Sequence, residues 1–212
     1  MNTTEDLIAS YKQAIQGRNW AQAVDAAQQL VNLHSSAEFL RMLAGAQLNT
    51  GTVEDSLATF DRALAASDTE KPVEGLSATE WKENRALIYV GRGNALLKLH
   101  RNTEAIDAYN HSGDLAANPA IAYFNVCAVL YNSGIVDDAA TACRKSLQGD
   151  PARADAWFIL GSALFSAAKM DAQGKLVLST ETRHALEEYL RLAPTGPHAD
   201  DVKAMLQMAK EK

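Results

Sequence analysis

Three stretches of the chain superimpose at a spacing of 34 residues. They open with Ala86, Ala120 and Ala154, and Tyr89, Tyr123 and Trp157 follow three places on. Gly93, Cys127 and Gly161 come next, then Leu96, Leu130 and Leu164. One ring, one small residue and one leucine thus return at fixed offsets. A period of that length belongs to stacked supersecondary units, each burying its apolar face against a neighbour. Arrays of this kind present long surfaces, which turns the functional reading towards binding and away from catalysis.

The second half of each unit follows the same rule. Ala105, Tyr109 and Ser112 stand at the same distances after Gly93 as Ala139, Cys143 and Ser146 do after Cys127. Small residues at those places let two helices approach, and a ring or sulfur fills the gap. Breaks fall at Gly17, Asn49-Thr50-Gly51, Arg101-Asn102 and Asn132-Ser133-Gly134, and between them apolar side chains recur every three or four positions. The pattern predicts antiparallel helix pairs at about 4–16 with 19–33, 37–49 with 53–66, 79–99 with 103–116, 120–132 with 136–148, and 154–169 with 181–193. A last helix over about 199–211 carries Val202, Leu206 and Ala209 on one side and Asp201, Lys203, Lys210 and Glu211 on the other, as an end cap requires.

Capping side chains mark the helix starts. Asn118-Pro119 and Asp150-Pro151 each place a cap before a proline, and Ser35/Glu38 and Ser77/Glu80 have capping-box spacing. Two segments interrupt the array. Residues 67–80 form a polar, proline-containing insertion, and residues 170–179 lengthen the last pair with a turn and an extended run that reads as a small hairpin.

Composition excludes several classes. Hydrophobic residues make up 47% of the 212, so the chain is expected to fold. The formal charge is −6, without a Lys/Arg cluster, which argues against nucleic acid. No apolar run is long enough to cross a membrane, and the start MNTTEDLIAS lacks the basic-then-apolar order of a secretory signal. The default expectation is a cytoplasmic protein, or an exported one if the chain is cut from a larger protein.

Few residues suggest chemistry. Gly91-Arg92-Gly93 follows a strand-like run in the manner of a dinucleotide loop, but Leu96 stands where the third glycine belongs and Gly93 is in register with the repeat. His34, His100, His111, His184 and His198 include no pair at the i, i+4 spacing of a helical metal site. No nucleophile motif is present, and Glu181, Glu187 and Glu188 alternate with Arg183 and Arg191 as on a solvated helix face. Neither catalytic residues nor a cofactor or metal is expected. Cys127 and Cys143 lie on facing helices, either as two small core residues or, in an oxidising compartment, as a disulfide.

The run Tyr123, Val126, Cys127, Leu130, Ala139, Cys143, Ser146, Pro151, with Trp157, Leu160, Gly161 and Leu164 after it, resembles the tetratricopeptide repeat family. Leu40, Leu43, Ala44, Ser56, Phe60 and Ala63 fit the same pattern, and Leu7, Tyr11, Ala23 and Leu30 fit it loosely. The resemblance implies a single domain over 1–212: an all-α, right-handed solenoid of five helix pairs with a C-terminal capping helix. It also implies a concave groove for an extended peptide. The groove positions it carries over are Lys12, Arg41, Asn94, Leu97, Phe124, Asn125, Tyr131, Phe158, Ser162 and Phe165.

The residues themselves add to that expectation. Phe124, Tyr131, Phe158 and Phe165 lie off the face that holds Tyr123, Leu130, Trp157 and Leu164, so they serve either a ligand or the packing of a neighbouring element. Lys12 and Arg41 give the groove a basic end. The expected function is a scaffold or adaptor for a protein or peptide partner, with self-association compatible with the same surface. The rivals are a structural repeat domain of a larger bacterial multidomain protein and, less in keeping with the residues, an enzyme or nucleotide-binding protein.

Overall fold

In two of the helix pairs a glycine on the first helix faces a large residue on the second, and this complementarity lets the pair pack closely. The computed structural model describes residues 3–69, 77–174 and 176–209. Half of the polar insertion, residues 70–76, and Lys210 and Glu211 of the expected end helix lie outside the described residues. The chain divides into two compact units, residues 1–117 and 118–212.

The first unit contains α1 (Thr4–Gln16), α2 (Trp20–Leu33), α3 (Ala37–Thr50), α4 (Val53–Thr69), α5 (Ala78–Lys98) and α6 (Asn102–Leu115). Thr3 caps α1 in a reciprocal box with Asp6, and Ser77 caps α5 in another with Glu80. The cap of α3 is Ser36, which accepts from the Phe39 N–H at 3.2 Å, and not Ser35. Three places beyond Ser36 stands Phe39, so the expected box with Glu38 does not form there. Gly51 turns between α3 and α4 with φ 91°, a conformation that favours glycine.

Close packing explains both glycines of Gly91-Arg92-Gly93. They lie inside α5, with helix where the strand of a dinucleotide loop would run. A Cβ at Gly93 would sit 2.6 Å from the Tyr109 ring of α6, and one at Gly91 would sit 2.2 Å from the Phe60 ring of α4. Tyr109 and Phe60 are both buried, so each ring uses the space that its glycine leaves. Between α3 and α4 the buried Ser56 hydroxyl donates to the Ala44 carbonyl at 2.8 Å.

The second unit contains α7 (Pro119–Asn132), α8 (Val136–Gly149), α9 (Ala154–Ser166), a two-stranded antiparallel hairpin of β1 (Lys169–Met170) and β2 (Leu176–Val177), α10 (Thr180–Leu192) and α11 (Ala199–Met208). Asn118 caps α7 ahead of Pro119. The second cap-proline pair works differently: Asp150 ends α8, and α9 starts only at Ala154. Asp150 pairs with Arg153 at 2.9 Å, and the Pro151 carbonyl accepts from the Trp157 indole at 2.9 Å, which makes the segment a braced turn. Helix α9 stops at Ser166, short of the expected 169, because Lys169 pairs with Val177 in the hairpin.

Gly161 of α9 faces Leu186 of α10, and a Cβ at Gly161 would sit 2.6 Å from the leucine side chain. At the matching place in the preceding pair, Cys127 of α7 and Cys143 of α8 form a disulfide with Cα atoms 5.1 Å apart. The Ser146 hydroxyl donates to the Ala120 carbonyl at 2.8 Å and ties α8 to the start of α7. Helix α11 closes the unit: Ala199, Val202 and Leu206 are buried in a cluster with Leu186 and Tyr189, and Asp201 and Lys203 face solvent.

Candidate functional site

The first helices of the pairs carry the ten positions singled out from the sequence. In the first unit, Lys12 is exposed on α1 and Arg41 is half-buried on α3. Arg41 Nε donates to Asn84 Oδ1 on α5 at 2.8 Å. Among the described residues no carboxylate pairs with Lys12 or Arg41, whereas Arg85 and Arg92 of α5 pair with Asp68 and Asp61 of α4. Asn94 has one of its acceptor sites engaged, since Tyr109 donates its hydroxyl to Asn94 Oδ1 at 2.7 Å. Burial pushes the Tyr109 phenol well above its ordinary range, so it remains a donor.

Leu97 is half-buried and lies on a stripe with Leu87, Val90 and Asn94, whose spacing of three, four and three residues puts them on one side of α5. Leu87 is 54% exposed, a large aliphatic side chain left open to water.

In the second unit, α7 repeats the stripe one period later, with Ile121, Phe124, Ala128 and Tyr131. Ile121 is 45% exposed, Phe124 and Tyr131 are half-buried, and Asn125 is exposed beside the stripe. The Arg153 guanidinium carbon sits 4.9 Å from the centre of the Phe124 ring. On α9 the corresponding side chains are engaged by the C-terminal segment. Phe158 stacks on His198 at 3.8 Å between ring centres, Phe165 packs on the cluster around Val202, and Ser162 is buried. Phe158 and Phe165 are therefore half-buried rings with one side packed on the C-terminal segment. The Ser162 hydroxyl has no hydrogen-bond partner among the described residues.

Arg41, Phe124 and Phe158 share a repeat position, three residues before Ala44, Cys127 and Gly161. Each touches a residue on or just before the next helix but one: Asn84 near Ala86 of α5, Arg153 before Ala154 of α9, and His198 before Ala199 of the end helix α11. Those partners lie far along the chain, so the periodic pattern does not reveal them. Leu87 and Ile121 fall outside the carried-over positions for another reason. The signal was present, as two large aliphatics one period apart on the stripes of Leu97 and Tyr131, but the resemblance places the groove on other positions.

Charge around these helices is mostly local. Arg144 of α8 holds the Glu181 carboxyl of α10 below the usual carboxylate range through a hydrogen bond of 2.6 Å. Among the described residues no three His, Cys, Asp or Glu side chains gather as a metal site would need. The chemistry these surfaces offer is contact: apolar stripes, amide groups and a few unpaired cations.

A family pattern for the tetratricopeptide repeat matches residues 12–71 and 128–199. No curated protein matches the sequence. Among solved structures, MamA is similar with a TM-score of 0.62 at 18% identity, over 90% of this chain and 92% of that one. YrrB, a TPR protein with an unusual peptide-binding site, is similar with a TM-score of 0.60 at 17% identity, over 95% of this chain and 92% of that one. A tetratricopeptide repeat protein from Parabacteroides merdae ATCC 43184 reaches 0.62 at 13% identity, over 97% of this chain and 74% of that one. At these identities the likeness is one of fold, an all-α helical repeat. With its periodic residues filling the helix contacts described above and the family pattern spanning more than half its length, the chain belongs to the tetratricopeptide repeat family.

Proposed function

We propose that the chain is a non-catalytic interaction scaffold whose first helices take an extended, partly apolar segment of another protein. The observation that carries this reading is the exposure of Leu87 and Ile121, one repeat apart, at the head of the stripes on α5 and α7. Burying such side chains contributes about 1.5–3 kcal/mol each, so leaving one at the equivalent place in each unit suits faces that are covered in use. The exposed Asn125 amide can both donate to and accept from a peptide backbone, and Lys12 and Arg41 favour a segment with acidic groups near one end. The exposed stripes on α5 and α7 are therefore the preferred contact surfaces, since Phe158 and Phe165 on α9 already have a neighbour in the C-terminal segment.

A library of random peptides displayed on phage tests the reading. The expected result is selection of peptides rich in apolar residues, with binding at least tenfold weaker to Leu87→Glu or Ile121→Glu. Selected peptides that bind both variants as well as the parent, or a library that yields no binder, would overturn it.

A further inference from the structure

The fourth helix pair fills its central gap with a bond where its neighbours use bulk. Ala44 has Phe60 at the matching place, Gly93 has the Tyr109 ring, and Gly161 has Leu186. Cys127 and Cys143 are fully buried, and their Cα separation of 5.1 Å lies in the usual range for a disulfide. Two thiols in that gap do not keep the bonded spacing. Non-bonded heavy atoms rest about 3.5–4 Å apart. Breaking the bond therefore acts like inserting volume into a packed core, which the helices relieve by moving apart.

We propose that Cys127–Cys143 is a redox-controlled clamp on α7. In the oxidised chain it holds α7 on α8 and fixes the stripe of Ile121, Phe124 and Tyr131; reduction loosens that pair. The reductant is a dithiol, either a small molecule or a protein of the thioredoxin type. Its thiolate attacks one cysteine sulfur, breaking the Cys127–Cys143 bond to give a mixed disulfide and one free cysteine; its second thiolate then attacks the reductant sulfur of that mixed disulfide and releases the other cysteine. The dithiol ends as a disulfide, and two electrons and two protons reach Cys127 and Cys143. Because neither sulfur is exposed, attack follows local opening of α7 from α8, so reduction of the native chain is slow.

The full chain is equilibrated with oxidised glutathione, alkylated with N-ethylmaleimide in denaturant and weighed intact. The expected species carries no alkyl group, and prior treatment with dithiothreitol yields two. The reduced chain is expected to unfold at a midpoint lower by roughly 10 °C. Its α7 and α8 amides are expected to exchange at least tenfold faster, with α1–α4 unchanged. The double variant Cys127→Gly, Cys143→Tyr rebuilds the Gly93–Tyr109 solution and is expected to lose all response to dithiothreitol. Two alkyl groups on the glutathione-treated chain, or reduction that alters neither midpoint nor exchange, would overturn the clamp. None of these readouts needs a ligand, so failure of the binding proposal leaves the clamp standing, and the reverse holds too.

Discussion

Gly45 and Gly93 both lie inside first helices, yet a methyl group added to each meets different surroundings. Nothing stands within 4 Å of the position a Cβ would take at Gly45. Removing backbone freedom from the unfolded chain is then the main effect, and Gly45→Ala is expected to stabilise by about 0.5–1 kcal/mol. At Gly93 the added carbon would sit 2.6 Å from the Tyr109 ring, which is buried and tied by its hydroxyl to Asn94. The ring has nowhere to go, so overpacking of about 1–3 kcal/mol outweighs the helix-propensity gain. Urea unfolding of the two variants should give midpoints on opposite sides of the parent. Tyr109→Phe isolates the hydroxyl: it leaves Asn94 Oδ1 without its donor and is expected to cost about 1 kcal/mol by the same measurement.

At the scale of elements, a helix start responds to pH wherever a carboxylate completes its cap. The Ser77 N–H and hydroxyl both donate to Glu80 Oε2, at 2.7 and 2.9 Å, and these bonds hold the Glu80 carboxyl below its ordinary range. A carboxylate whose folded value is depressed stabilises above its unfolded value, and the contribution disappears as pH falls through the lowered one. Acidification below about pH 4 is therefore expected to open the first turn of α5. Hydrogen exchange of its amides, corrected for intrinsic rates, should show the loss in the parent and not in Glu80→Gln. Glutamine keeps the box geometry without the titrating group.

Turn residues made most element ends legible, because glycine and asparagine mark where backbone leaves the helical region. His100, with φ 58°, takes the left-handed turn one period before Gly134, with φ 76°, although its side chain announces nothing. Ends set by tertiary contacts were not legible. The early stop of α9, at Ser166, depends on the hairpin register, in which Lys169 pairs with Val177. The site was legible by position and illegible by occupancy. Periodicity shows which side of a first helix faces away from its pair. It does not show that Asn84, Arg153 or His198 comes back to cover Arg41, Phe124 or Phe158.

At the scale of the whole chain, a helical repeat that does not stack on another repeat needs a covering element. Helix α11 supplies it in the second unit: Val202 is fully buried, and Leu206 and Ala199 nearly so, against Leu186 and Tyr189. The Tyr189 hydroxyl accepts from the His198 N–H at 2.9 Å, which fixes where α11 begins and sets the imidazole over Phe158. If this helix is structural, weakening it destabilises the unit from its end. Leu206→Ala removes most of a buried side chain and is expected to cost about 2 kcal/mol, the low end for such changes because the site borders solvent. Trp157 packs against the same cluster, so its fluorescence reports the change once Trp20 and Trp81 are replaced by phenylalanine. The Trp157 transition should move to lower urea and the variant should bind a hydrophobic dye more strongly, since Phe158, Phe165 and Tyr189 lose cover. A shift below about 0.5 kcal/mol, the scale of surface substitutions, would show that α11 only rests on the array and that Leu186 and Tyr189 pack without it.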